Sequence, residues 1–234
     1  MIPERPPYTL VCLDLAGTLV ADESGESGGL VGQAFAAALD AVRVARGGVE
    51  WDSMMAYIKL TMGQSKGEVF SRLFPEPARA AAANAAFESA CGEVADRGAV
   101  VPIPGAVETL ACMRRLGLRI CLVTGFSPTT RDRLLASLGW ADLADLALSP
   151  ADAGRGRPYP DMILAAVLRL RVDDVRSVAV VGDTEADIRS GVRAGAGMVA
   201  GVLTGAGDRD TLVGAGATHV LNSVADLEAV LVAT

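Results

Sequence analysis

The sequence predicts an α/β fold, a Rossmann-like parallel sheet with helices between its strands, interrupted by one inserted helical unit. Short runs rich in Val, Leu and Ile recur at residues 9–13, 118–123, 177–181 and 198–203, each followed by a glycine-containing turn. Their continuous apolar character, without polar alternation, fits strands buried on both faces. Helical patterns fill the intervals at 106–116, 128–138, 160–170, 184–194 and 224–232, which is the alternation of a doubly wound sheet.

Residues 30–98 break that alternation. They read as consecutive helices with no convincing strand, including the alanine-rich stretch 78–90. The segment 22–29, with serine and three glycines, and the segment 101–105, with Pro102 and Pro104, are the natural hinges. The expected organisation is a core made of 1–21 and 101–234, carrying a helical insertion at 22–100.

Composition narrows the partners. The chain has 234 residues, and 51% hydrophobic content is ample for a core domain with an insertion. A formal charge of -7 without runs of Lys or Arg argues against nucleic acid or an anionic membrane surface as the main partner. A small anionic substrate then needs a local cluster of positive charge. The first long apolar stretch, 8–20, is interrupted by Asp14 and preceded by Pro3, Pro6 and Pro7, so neither a membrane span nor a signal peptide is expected. Cys12, Cys91, Cys112 and Cys121 show no C-x-x-C spacing and sit in apolar segments, which fits core packing in a reduced, cytoplasmic setting. A thiol nucleophile is disfavoured, because no cysteine lies beside His219, the only histidine, in the strand-like stretch 218–221.

Ligands of open α/β sheets bind beyond the carboxyl ends of the strands. The polar residues that end the apolar runs are Asp14, Thr124 and Asp183. Turn or cap roles would explain any one of them. Two carboxylates and a hydroxyl at one sheet edge also suit a divalent cation and a phosphate. Asp187 lies four residues beyond Asp183, about one helical turn, and can sit over the same place.

Leu13-Asp14-Leu15-Ala16-Gly17-Thr18 resembles the nucleophile motif of the haloacid dehalogenase superfamily. Val123-Thr124-Gly125, Gly156-Arg157-Pro158 and Val181-Gly182-Asp183-Thr184-Glu185-Ala186-Asp187 resemble its second, third and fourth motifs, in that order. The resemblance implies a Rossmann-like core with a helical cap of the C1 type. It also implies Asp14 as the nucleophile that carries a transient aspartyl phosphate, and Mg2+ held by Asp14, the Ala16 carbonyl and Asp183, with Asp187 as further ligand or support. Repulsion between a carboxylate and a phosphoryl anion must be offset, and the cation together with Arg157 would do that. Gly17, Thr18, Thr124 and Gly125 become the expected phosphate-contacting positions.

Phosphomonoesterases of this superfamily place a second aspartate two residues after the nucleophile to protonate the leaving alkoxide. Here that position is Ala16. A general acid contributes about 10²–10⁴-fold in rate, so the leaving group should be one that needs no proton from that side. The sequence resembles the phosphonoacetaldehyde hydrolases, or phosphonatases, in Asp14-Leu15-Ala16-Gly17-Thr18, in Gly156-Arg157-Pro158-Tyr159-Pro160, and in Met62-Gly63-Gln64-Ser65-Lys66. This implies a Schiff base between Lys66 and a substrate carbonyl, with Met62 and Gly63 in the substrate pocket. The iminium accepts the electron pair of the broken carbon–phosphorus bond. Ser65-Lys66-Gly67-Glu68 reads as a capping box that puts Lys66 in a first helical turn, where the positive helix end and burial lower its pKa while Glu68 opposes them. Three positions depart from the pattern: Arg157 stands in place of the usual lysine, Val69 in place of a histidine and Phe126 in place of a tyrosine.

The expected partner is a small phosphonate or phosphate, and a homodimer through the cap is compatible with the apolar helix faces. Rival readings are a phosphatase for a small phosphorylated metabolite, similar to phosphoglycolate phosphatase, and an inactive binding module on the same fold. A hydrolytic dehalogenase is less consistent with Asp183 and Asp187, which magnesium explains better. Trp51, Trp140, Tyr57, Met54 and Met55 are expected in cap and core packing.

Overall fold

The computed structural model describes residues 7–22 and 29–232; most of the hinge expected at 22–29 therefore lies outside the described residues. Strand β1 (Leu10–Asp14) leads to β2 (Val20–Asp22), and four helices follow: α1 (Gly29–Ala41), α2 (Val49–Leu60), α3 (Lys66–Leu73) and α4 (Pro77–Asp96). Next come β3 (Val100–Pro102), α5 (Ala106–Arg115), β4 (Arg119–Val123), α6 (Pro128–Ser137), β5 (Leu146–Leu148), α7 (Pro150–Ala153) and α8 (Asp161–Arg169). The chain ends with β6 (Val178–Gly182), α9 (Glu185–Ala194), β7 (Met198–Val202), α10 (Arg209–Ala215), β8 (His219–Leu221) and α11 (Leu227–Val232).

Six strands form one parallel sheet in the order β5-β4-β1-β6-β7-β8. After β1 the chain builds outward on one side through β4 and β5, then returns to fill the other side from β6. The order reverses beside β1, and that reversal opens a crevice at the carboxyl ends. The register fixes what meets there: Asp14 pairs with Val123 of β4 and Leu13 with Val181 of β6, so Asp14, Thr124 and Asp183 share one sheet edge.

β1, β6 and β7 are buried along their whole length, as their unbroken apolar runs require. One face of the sheet packs Ile120, Leu122, Ala179 and Val181 into the larger core, and the other packs Cys12, Cys121, Val123 and Val180 against Met162 and Ile163. Full burial of each such aliphatic side chain contributes about 1.5–3 kcal/mol. All four cysteines are buried and unpaired. Trp140 is buried, and Trp51, Met54, Met55 and Tyr57 pack at the margin of the same core.

Two features depart from the sequence reading. Residues 100–102 form β3, antiparallel to β2, where the sequence suggested a hinge from 101 to 105. Val100 and Val101 find partners some 80 positions earlier, a pairing that local pattern does not reveal. Pro102 is tolerated because the ribbon has only two strands. The second is β5, three residues long, too short to register as an apolar run.

Between β2 and β3 the described residues, 29–99, contain four helices and no strand. α4 presents a buried stripe of Ala80, Ala83, Phe87, Cys91 and Ala95, with the spacing of one helix face. That stripe packs on α1 and α3, and α4 also touches α6 of the sheet region. No helix among the described residues is long and apolar enough to cross a membrane.

Candidate active site

Asp14, at the end of β1, is 6% exposed, and its Oδ1 accepts a 2.6 Å hydrogen bond from Nη1 of Arg157. The same nitrogen donates to Oδ1 of Asp187. Asp187 in turn belongs to the capping box of α9: its Oδ2 accepts from the backbone N–H and hydroxyl of Thr184, while its own N–H donates to Thr184 Oγ1. Asp183 accepts from the Ala206 N–H at 2.8 Å and from the Thr18 hydroxyl at 3.3 Å.

One carboxylate oxygen from each of Asp14, Asp183 and Asp187 lies within 4.8 Å of the others. Burial raises the Asp14 carboxyl to about 6; Arg157 pulls it down, and repulsion from Asp187 adds to the rise. Asp183 is raised well above the carboxylate range by burial and by Asp14 and Asp187. Burial opposes the charge of Arg157, yet Asp187 and Asp14 outweigh it and hold the guanidinium firmly protonated. Three buried carboxylates sharing one guanidinium leave negative charge in excess. An oxygen-seeking divalent cation fits that donor set. Arg157 Nε is buried without a partner, an unsatisfied donor that costs about 1–3 kcal/mol until a ligand oxygen accepts from it.

Lys66 is the first residue of α3 and is 5% exposed. It lines a cavity of about 340 Å3 together with Asp14, Arg157, Thr124 and Asp183. Burial, and then the nearby charge of Arg157, lower its pKa to about 8. The capping box expected at Ser65–Glu68 does not form: Ser65 precedes the helix but makes no side-chain cap bond. The Lys66 N–H donates to the Gly125 carbonyl at 3.4 Å, which ties the helix start to the loop after β4. Glu68 lines a separate surface cleft with Arg72, Tyr159 and Arg193.

Two glycines permit that close approach. Gly63 has φ +80, and a Cβ there would stand 2.3 Å from Thr184 Oγ1. A Cβ on Gly125 would stand 2.6 Å from the Gln64 carbonyl oxygen. The segment before α3 thus lies directly against the start of α9 and the end of β4.

Ala16, Gly17, Met62, Gly63 and Gly125 also line the cavity. Thr18 is fully buried and reaches Asp183, and Asp187 sits behind Arg157; neither lines the cavity itself. Sequence reasoning missed Thr204, Gly205 and Ala206, which line it from the loop after β7, although that loop also follows an apolar run. It also missed Leu30 and Val31 of α1, whose contribution has no local signal. His219 lies exposed on β8 and outside the cavity lining.

A phosphonoacetaldehyde hydrolase from Parabacteroides distasonis is 30% identical over 154 residues, 55% of this chain and 57% of that protein. One from Pseudomonas fluorescens is 29% identical over 202 residues, 82% of this chain and 72% of that protein. The chain thus spans little more than half the length of the first relative. The solved structure of a hydrolase from Pseudomonas syringae superposes with a TM-score of 0.80 at 26% identity, covering 96% of this chain and 98% of that one. Residues 8–195 match the family described as haloacid dehalogenase-like hydrolase, and the chain is therefore a member of that family.

Proposed function

We propose that this hydrolase cleaves the carbon–phosphorus bond of phosphonoacetaldehyde or a related 2-oxoalkylphosphonate. The observation that carries the reading is the meeting of Lys66 and Asp14, both buried, on the wall of one cavity, with Ala16 where an ester-cleaving acid would stand. The names of the two relatives point the same way.

In this reading the neutral Lys66 amine adds to the substrate carbonyl and expels water, leaving an iminium beta to phosphorus. An Asp14 oxygen attacks phosphorus, the carbon–phosphorus electron pair moves into the iminium, and an enamine departs in place of a carbanion. Protonation at carbon and hydrolysis return the amine and release the aldehyde or ketone. Water then cleaves the aspartyl phosphate to inorganic phosphate. Arg157 holds Asp14 in line and leaves its free Nε for a phosphoryl oxygen. Mg2+ would bind to Asp14, the Ala16 carbonyl and Asp183, with Asp187 in support, and offset the charge of the transferring group. Residues 22–100 act as a cap over the core formed by 1–21 and 101–234, keeping water from the iminium. A cavity of about 340 Å3 stands at the small end of the range for ligand pockets, which suits a molecule of the size of phosphonoacetaldehyde or a somewhat longer 2-oxoalkylphosphonate.

The test is phosphate release from phosphonoacetaldehyde, longer 2-oxoalkylphosphonates and an aryl phosphate, with and without magnesium, alongside borohydride trapping. Magnesium-dependent release from the phosphonates and an adduct on Lys66 support the reading. Fast ester hydrolysis indifferent to Lys66→Ala would establish a phosphatase instead.

A further inference from the structure

The Lys66 nitrogen lies 5.4, 5.8 and 5.9 Å from the ring centroids of Phe35, Phe87 and Phe126. The three rings come from α1, from α4 and from the loop after β4, and they brace one another, with centroids 4.8 Å apart for Phe35 and Phe87 and 6.2 Å for Phe87 and Phe126. Among the described residues no carboxylate forms an ion pair with Lys66. The chain has 21 Lys and Arg residues, and the only lysines are Lys59, exposed on α2, and this buried one.

A buried ammonium needs compensation. A carboxylate in direct contact would lock the proton in place. A ring face attracts the ammonium more weakly, enough to orient the group without holding its proton as tightly. The charges that face Lys66 are otherwise engaged. Arg157 repels it; Asp14 and Asp187 are bound to Arg157; from α4, Cys91 is a thiol pushed up to about 12 by burial and Glu88, and Glu88 accepts from Ser127 and Thr130. α1 and the loop after β4 contribute rings.

We propose that Phe35, Phe87 and Phe126 are positioning residues that hold the Lys66 amine at the cavity wall while leaving its proton free to depart. This rests on reading Lys66 as the imine-forming amine. It gives Phe126 a role that a tyrosine hydroxyl would fill differently, and it explains how the amine is held with Val69, an apolar residue, one helical turn further on.

The experiment is an NMR titration of 13C-labelled lysine in the magnesium-loaded enzyme, where two side-chain signals are expected and Lys59→Arg assigns them. Phe87→Leu and Phe126→Leu keep the wall apolar but remove a ring face. Lys66 should titrate below Lys59 in the parent, and each variant should lower it by a further 0.4 to 1.5 units or thereabouts. Phe35→Leu replaces either variant if thermal unfolding shows that it has not folded. An unchanged or raised Lys66 value in the variants, with aldehyde trapping intact in the parent, overturns the ring role alone. A parent that traps no aldehyde on Lys66 overturns the imine reading and the purpose of the rings with it.

Discussion

Nη1 of Arg157 bridges Asp14 and Asp187, standing 2.6 Å from the Asp14 oxygen. A residue from the loop before α8 thereby ties the end of β1 to the first turn of α9. The nucleophile candidate and the acidic end of the fourth motif are held by one cation, and the remaining charge excess invites a second.

Arg157→Met should destabilise the metal-free protein by about 3–5 kcal/mol, because it leaves the buried carboxylates uncompensated. Magnesium should restore part of that loss. Denaturant unfolding with chelator and with magnesium measures both quantities, and a loss under 1 kcal/mol would show that the bridge is weak.

Ala16→Asp should raise hydrolysis of an alkyl phosphate ester by about 10²–10⁴-fold, since it returns a proton donor to a position that lines the cavity. Cleavage of phosphonates should not gain. Steady-state kinetics on one ester and one phosphonate decide this, and equal gains on both would count against the role assigned to Ala16.

Lys66→Arg keeps the charge but cannot give a neutral amine, because a guanidinium does not deprotonate in proteins. Phosphonate cleavage and borohydride labelling should both disappear, with thermal stability little changed. In the parent, the labelling rate should climb as pH rises through about 8, where the amine loses its proton. Labelling that is flat between pH 6.5 and 9.5 would contradict this.

Asp14 is raised from 3.8 to about 6 in the folded chain, and Asp183 is raised as well, so the fold takes up protons that the unfolded chain has released. The metal-free protein should therefore have a melting temperature that falls as pH rises from 4 to about 6.5, and Asp14→Asn should flatten that fall. Magnesium should add more stability at pH 7 than at pH 5. Lys66 acts in a separate window: with its pKa lowered, it adds stability as pH climbs from about 8 to 10.5. A melting temperature that rises between pH 4 and 6.5 without metal would rule out the carboxylate picture.

Gly63→Ala places a methyl group against Thr184 at a backbone angle that costs a side chain about 1–2 kcal/mol. The segment carrying Lys66 should lift from the start of α9, lowering kcat at least tenfold while circular dichroism of the sheet is unchanged. An unaltered kcat would mean that the close approach is unnecessary for turnover.

Much of the fold was legible because strands buried on both faces leave long apolar runs, and four of these gave β1, β4, β6 and β7 to within a residue. Asp14, Thr124 and Asp183 were legible for the same reason, since each stands where a run stops. Ala16 was readable as a departure from a motif. The capping box at Ser65 was misread: the Ser65 side chain makes no cap bond, and the start of that helix meets the carbonyl of Gly125, in a distant loop that no local pattern records.

The linear order of residues thus determined four strands of the sheet, the polar residues that end them and the run of helices between β2 and β3, because each depends on local hydrophobic period and on residue type. Tertiary structure alone decided that Arg157 joins two carboxylates, that Lys66 sits among Phe35, Phe87 and Phe126, and that 20–22 pairs with 100–102. Such contacts join segments tens of residues apart. They form when apolar surfaces close over one another, and no short window of sequence records which surfaces those are.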